Sequence, residues 1–221
     1  MTSRPAAGGG RWVEVDPGRV ARWVEGFADR HGPPTTTTVE GYGLLLTAPD
    51  GATAELHTPP GAPATADVPG FVAAAGARRR VGLLLARKGA VAVGVADGPD
   101  LVVSKVDTRY VQGRTAAGGW SQQRFARRRD NQAKAALGDA AELAVRLLLP
   151  EAARLAALVG GGDRRAVDTV LADRRLAPLA ALRAERLLDV PEPRHAVLVG
   201  AVAAARAVWI LVRDPEPDGT R

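Results

Sequence analysis

The sequence predicts an α/β fold: one domain whose mixed sheet is an antiparallel meander followed by a βαβαβ unit, with a loop–helix arm projecting from it. Three patterns lead there. Short apolar runs broken by tight turns fill the middle of the chain. Strand-like and helix-like periods alternate from Leu155 onward. Between them lies a long helical period whose apolar positions are confined to its C-terminal half.

Residues 1–9 carry no apolar run, which excludes a secretory signal and leaves a tail expected to be disordered. Asp16 before Pro17 reads as a helix cap with proline at the first helical position. Val20, Trp23, Val24 and Phe27 follow at helical spacing up to Gly32-Pro33-Pro34. Thr35–Thr47 and Thr53–Thr58 are β-branched and apolar around a Pro49-Asp50-Gly51 turn. A Pro/Ala-rich loop then leads to a short helix from Pro69 to about Ala77.

Val81–Arg87, Ala90–Ala96 and Leu101–Val106 are the strands of the meander, turned by Lys88-Gly89 and by Asp97-Gly98-Pro99-Asp100. The glycine-containing loop Gln112–Trp120 enters a helix from Ser121 to about Leu149. Its apolar positions (Ala133, Ala136, Leu137, Ala140, Ala144, Leu147, Leu148) dock one end on a core and leave the polar first turns projecting. Leu155–Val159, Asp163–Ala172, Arg186–Val190, Pro193–Arg206 and Val208–Arg213 then alternate strand and helix. The domain is expected over 10–214, with the arm at about 112–149 and a polar tail at 215–221.

The chain has no cysteine, which removes disulfides, thiolate metal sites and cysteine nucleophiles together. Ala196–Val212, the longest apolar stretch, carries Arg206 and is too short for a membrane span, so a cytoplasmic protein is expected. Of 30 basic residues only Lys88, Lys105 and Lys134 are lysine, a bias expected of a high-GC bacterium rather than of function. The position of the charge is more informative. Lys105, Arg109, Arg114, Arg124, Arg127, Arg128, Arg129 and Lys134 face only Asp107 and Asp130 in that stretch. The segment therefore holds a net charge equal to the +6 of the whole chain. Such a field attracts polyanions, although a solvated arginine-rich helix face has the same composition. Every glutamine (Gln112, Gln122, Gln123, Gln132) and the one asparagine, Asn131, fall in the same window.

Conventional acid–base chemistry is poorly supported. His31, His57 and His195 form no ligand-spaced pair, and Ser104 and Ser121 lack a nucleophile-elbow context. Gly160-Gly161-Gly162-Asp163 lacks phosphate-loop spacing and reads as an ordinary strand-to-helix turn with Asp163 as the cap. The segment Gly113–Lys134 is where the signals converge. Its glycines let backbone approach a substrate closely, and Ser121 as a helix cap would place Gln122 among the free N–H groups of a first turn. A carboxamide offers a donor and an acceptor but no useful proton. It can orient a water or steady an oxyanion, which suits hydrolysis of an activated ester. On spacing alone, an arginine-rich RNA-binding loop with glutamine as neutral filler fits equally well.

Gly118-Gly119, Ser121 and Arg124-Phe125-Ala126-Arg127-Arg128-Arg129 resemble the GGQ region of eukaryotic and archaeal class I release factors. Trp120 stands where the GGQ glutamine would be. The variant Gly119-Trp120-Ser121-Gln122, a GxxQ motif, is similar to the signature of the Vms-like release factors, which have an actinobacterial branch. The match covers Gln112–Asn131. The resemblance implies an RNase H-like domain and a peptidyl-tRNA hydrolase of ribosome rescue, working at the peptidyl-transferase centre of the large ribosomal subunit. It implies Gln122, or else Gln123, as the catalytic carboxamide, with Gly118 and Gly119 giving the loop its reach. Arg114, Arg124, Arg127, Arg128 and Arg129, together with Lys105 and Arg109, would meet RNA phosphates, and Trp120 would stack on a base or pack the arm. No cofactor or metal is expected, and neither DNA nor a membrane as partner. The chain has no room for a separate stop-codon-reading domain, so release is expected to be codon-independent. A non-catalytic RNA- or ribosome-binding domain is the alternative.

Overall fold

A computed structural model of the protein describes residues 2–41, 43–87, 89–108 and 138–215. In chain order the elements are β1 (Thr2–Pro5), β2 (Arg11–Val15), a 3-10 turn (Pro17–Arg19), α1 (Val20–His31), β3 (Thr35–Val39), β4 (Gly43–Thr47) and β5 (Thr53–His57). Then come α2 (Val68–Gly76), β6 (Arg80–Arg87), β7 (Ala90–Asp97), β8 (Asp100–Thr108) and helical residues 138–147, here α3. The last are β9 (Ala157–Gly162), α4 (Arg164–Leu171), α5 (Ala177–Ala180), β10 (Arg183–Leu188), α6 (His195–Arg206) and β11 (Val208–Arg213). They divide into two compact units, one built from the chain up to Arg78 and from Ala203 on, the other from Arg79 to Val202.

The first unit is a six-stranded antiparallel sheet in the order β1-β2-β11-β5-β4-β3. Alternation puts Val13, Val15, Leu44, Leu46, Ala54, Leu56, Val208, Ile210 and Val212 on one face, where Val20 and Phe27 of α1 and Phe71 and Ala75 of α2 complete a core. Residues Thr2–Pro5, in the stretch expected as a disordered tail, pair with β2. Asp16 caps the 3-10 turn that precedes α1, accepting from the Gly18 amide at 2.9 Å. The run Thr35–Thr47 breaks around Glu40-Gly41 into β3 and β4, a hairpin.

The second unit is a five-stranded mixed sheet in the order β10-β9-β6-β7-β8. Strands β6, β7 and β8 form the expected meander, and β9 and β10 add in parallel through α4. Leu84, Val91, Val93 and Val95 meet Ala140, Leu143, Ala144 and Leu148 of the α3 region and Val167, Val170 and Leu179 of α4 and α5 in one core. Each fully buried Leu or Val there contributes roughly 1.5–3 kcal/mol relative to exposure.

One element lies elsewhere than the sequence pattern implies. β11 is not the last strand of a βαβαβ unit. It runs antiparallel between β2 and β5 in the first unit's sheet. Val208, Ile210, Leu211 and Val212 are all buried, and an interior position with a ladder on both sides satisfies such a strand. The mixed α/β class therefore holds, with two sheets rather than one.

Candidate functional site

The candidate site is the point at which the basic, glutamine-bearing segment leaves and rejoins the second unit. Of the residues singled out, Lys105 falls in the described part of the chain. Arg109, Arg114, Gly118, Gly119, Trp120, Gln122, Gln123, Arg124, Arg127, Arg128 and Arg129 lie outside the described residues, as do Ser121 and the positions before Gly138 that the sequence predicts as helix. The geometry that can be given is that of the segment's two roots.

The first root is β8, an edge strand. Lys105 sits opposite Val93, Asp107 opposite Val91 and Thr108 opposite Ala90. Directly opposed residues of an antiparallel pair share a face. Val91 and Val93 belong to the core under the helices, so Lys105 and Asp107 point to that side. Lys105 is exposed there and Asp107 half-buried. A lysine on an edge strand also discourages another chain from pairing with it.

Thr108 ends β8 beside the β6–β7 turn. At the same end of the sheet β6 finishes at Arg87, whose Nη1 donates to the Val190 carbonyl at 2.6 Å and to Asp189 at 3.2 Å. There too β9 runs through Gly160, Gly161 and Gly162. A Cβ on Gly160 would stand 3.1 Å from a Val167 methyl, and one on Gly161 only 2.6 Å from a Leu85 methyl. Gly162 has φ 88°, and a Cβ there would meet the Ala86 carbonyl oxygen at 2.4 Å. Asp163 accepts from the amides of Arg165 at 2.9 Å and Ala166 at 3.4 Å. Its carboxylate thus fills the position an anion would take. The glycine run serves close packing and a strand-to-helix turn.

The second root is α3. Ala140, Ala141, Leu143, Ala144 and Leu148 are buried while Glu142 and Arg146 face solvent, the helical stripe expected for the docked end. Leu148 lies beside Gly82, and Glu151 just beyond it pairs with Arg80, which also reaches Asp97 at 3.5 Å. Both contacts are near the start of β6, the end of that strand opposite Arg87. A three-residue cluster holds the helix's outer side. Arg175, in the turn before α5, donates from Nη2 to Glu142 at 2.6 Å and to Asp173 at 2.7 Å. The Arg175 hydrogen bonds and charge lower the Glu142 pKa, and the same guanidinium with the Arg175 backbone amide brings Asp173 down to about 2. No sequence signal marks this cluster, because Glu142 and Arg175 are distant in the chain and each is an ordinary surface residue in its own helix or turn. Among the described residues no three His, Asp or Glu side chains gather where they could share a metal ion. Nor is any helix among them long and apolar enough to cross a membrane.

The described part of the second unit, with the segment rooted in it, falls within a stretch that known sequences match. Residues 79–211 match the profile of the Actinobacteria/chloroflexi VLRF1 release factor family. The chain belongs to this family. The match begins where the second unit begins and takes in the whole segment between Thr108 and Gly138.

Among solved structures, one of an archaeal protein is similar at 17% identity and TM-score 0.38, covering 73% of this chain and 52% of that one. A crystal structure of the archaeal translation termination factor aRF1 is similar at 15% identity and TM-score 0.40, covering 88% of this chain and 66% of that one. The chain thus spans about half the length of the first and just under two thirds of the second. No curated protein matches the sequence.

Proposed function

We propose that this VLRF1-family protein is a peptidyl-tRNA hydrolase of ribosome rescue, releasing the nascent chain on the large ribosomal subunit without reading a codon. The observation that carries the reading is the coincidence of two things in one segment. The family match spans it, and it holds every glutamine of the chain within its strongest run of positive charge. On this reading the second unit is an RNase H-like core, and the segment from 109 to 137 is its working part.

The chemistry asked of the segment is modest. A water oxygen attacks the ester carbonyl carbon, the bond to the tRNA ribose oxygen breaks, and that oxygen leaves carrying a proton. Gln122, or Gln123 if the register is shifted by one, supplies a carboxamide that orients the water; backbone N–H groups nearby steady the oxyanion. Gly118 and Gly119 allow the backbone to come close to the tRNA end. Arg114, Arg124, Arg127, Arg128 and Arg129 neutralise RNA phosphates, with Lys105 and Arg109 extending that charge back to the edge strand. Trp120 stacks on a base. At the segment's second root, the buried α3 stripe and the Glu142–Arg175–Asp173 cluster tie the helix to the second unit.

The second reading, an RNA-docking domain without catalysis, is favoured by the same arginines. A Gln122→Ala protein separates the two. Retained binding to large subunits with lost peptide release supports the hydrolase; binding by parent and variant alike, with release by neither, leaves only docking.

A further inference from the structure

The edges of the two sheets are not alike. β1, β3, β8 and β10 each have a neighbouring strand on one side only. An unpaired edge invites another chain, and sequences usually blunt it with charge, proline or a bulge. β1 carries Arg4 and ends in Pro5. β8 carries Lys105 and Asp107, and its register against β7 shifts between Val95 and Ala96. β10 carries Arg183, Glu185 and Arg186, and its register against β9 shifts between Arg183 and Leu187. β3 has none of these devices.

β3 reads Thr35-Thr36-Thr37-Thr38-Val39, five β-branched residues without charge, proline or glycine. It pairs with β4 in unbroken register, from Thr35 opposite Thr47 to Val39 opposite Gly43. Thr35, Thr36, Thr37 and Thr38 are all exposed. Among the described residues, the one hydrogen bond it makes outside that ladder runs from the Thr35 hydroxyl to the Thr47 carbonyl. The N–H and C=O groups on its outer side are therefore open to a further strand.

The strand is complementary to itself. A one-residue slip turns every side chain to the wrong face, so residues opposed across the edge must differ by an even number of positions. Of the antiparallel registers that remain, the one centred on Thr37 pairs all five residues. Thr35 then meets the partner's Val39, Thr36 meets the partner's Thr38, and Thr37 meets the partner's Thr37. Opposed threonines hydrogen-bond across strands, and no like charges meet. Pro34 before β3 and Glu40-Gly41 after it stop the pairing there. Among the described residues each chain has one such edge, so the pairing closes on a two-fold axis and does not grow into a fibre. We infer that β3 is the contact of a homodimer in which two copies pair antiparallel about Thr37, joining their six-stranded sheets into one. Five residue pairs are few against the roughly 1,200–2,000 Å² that stable complexes bury, so the dimer is a transient one that forms at high protein concentration.

The chain has no cysteine, so a single introduced thiol reports the pairing without interference. Directly opposed residues of an antiparallel pair have Cα atoms about 4.5–5.5 Å apart, within the span of a disulfide. Thr37→Cys, opposite itself across the axis, should therefore cross-link to a dimer on mild oxidation with diamide. Thr35→Cys should cross-link on the order of tenfold more slowly, because its two copies stand four residues apart along the ladder, about 13 Å. Sedimentation equilibrium of the parent should show a dimer fraction that rises up to millimolar protein. Thr37→Lys sets like charges opposite each other at an exposed position; it should weaken association roughly tenfold or more with an unchanged circular dichroism spectrum. Thr37→Val should keep the dimer. A parent that stays monomeric at millimolar protein leaves the edge to an extended segment of another protein and overturns the assignment. So do equal cross-linking of the two cysteine variants and association indifferent to Thr37→Lys. The pairing does not depend on the hydrolase reading: Gln122→Ala leaves β3 intact and should associate like the parent, whether or not it releases peptide.

Discussion

Leu148→Ala is the perturbation that most directly tests how the glutamine-bearing segment is anchored. Leu148 is 0% exposed and belongs to the core shared by β6, β7 and α4. One of its methyls lies 3.7 Å from where a Cβ on Gly82 would stand, beside Leu155 and Leu158 at the start of β6. Truncation there removes buried methyl groups and leaves a cavity among residues that strands hold in place, so relaxation is limited. Substitutions of this kind cost about 2.7–5 kcal/mol. With a urea slope of roughly 2 kcal/mol per M, the unfolding midpoint should fall by roughly 1.3–2.5 M. Arg146→Ala, on the solvent side of the same helix, should change stability by under about 0.5 kcal/mol. Urea titration followed by far-UV circular dichroism measures both. If Leu148→Ala costs less than about 1 kcal/mol, or no more than Arg146→Ala, the helix is not docked as described and the anchoring argument fails.

Two further outcomes follow from the same unit. Gly162→Ala should destabilise by at least about 2 kcal/mol in thermal unfolding, since it combines a left-handed backbone with a Cβ 2.4 Å from the Ala86 carbonyl oxygen; a neutral result would refute the strained turn. Asp173 titrates near 2, below its ordinary range, because Arg175 favours its charged form. The Glu142–Arg175–Asp173 cluster therefore supports the fold fully above the ordinary carboxylate range and loses that support as pH falls from about 4 toward 2. Carboxyl NMR should show the Asp173 midpoint rising in Arg175→Gln, and an unchanged midpoint would remove the cause given for it.

Much of the second unit was legible because its punctuation is local. Lys88-Gly89 and Asp97-Gly98-Pro99-Asp100 mark turns by their own backbone preferences, and the meander strands fall within about two residues of expectation. The sheet to which a strand belongs is not local information. Val208–Arg213 reads as a buried strand in either sheet, and only its pairing with β2 and β5 decides the matter. Arg11–Val15 escaped notice because five residues with two charges carry a weak alternating signal, although Val13 and Val15 are core. At the candidate site the clustering of carboxamides and arginines was legible as composition. The Glu142–Arg175–Asp173 tie at its root was not, since ion pairs between distant surface residues leave no periodic trace.

The central claim is that a side-chain carboxamide in this segment promotes hydrolysis of the peptidyl-tRNA ester. Its most direct measurement is the single-turnover rate of peptide release from large-subunit complexes carrying labelled peptidyl-tRNA, for the parent, Gln122→Ala and Gln123→Ala. Loss of a positioned group acting on the transition state should lower the rate on the order of 10²–10³-fold in one of the two variants while subunit binding persists. Parent-like release by both variants would contradict the account.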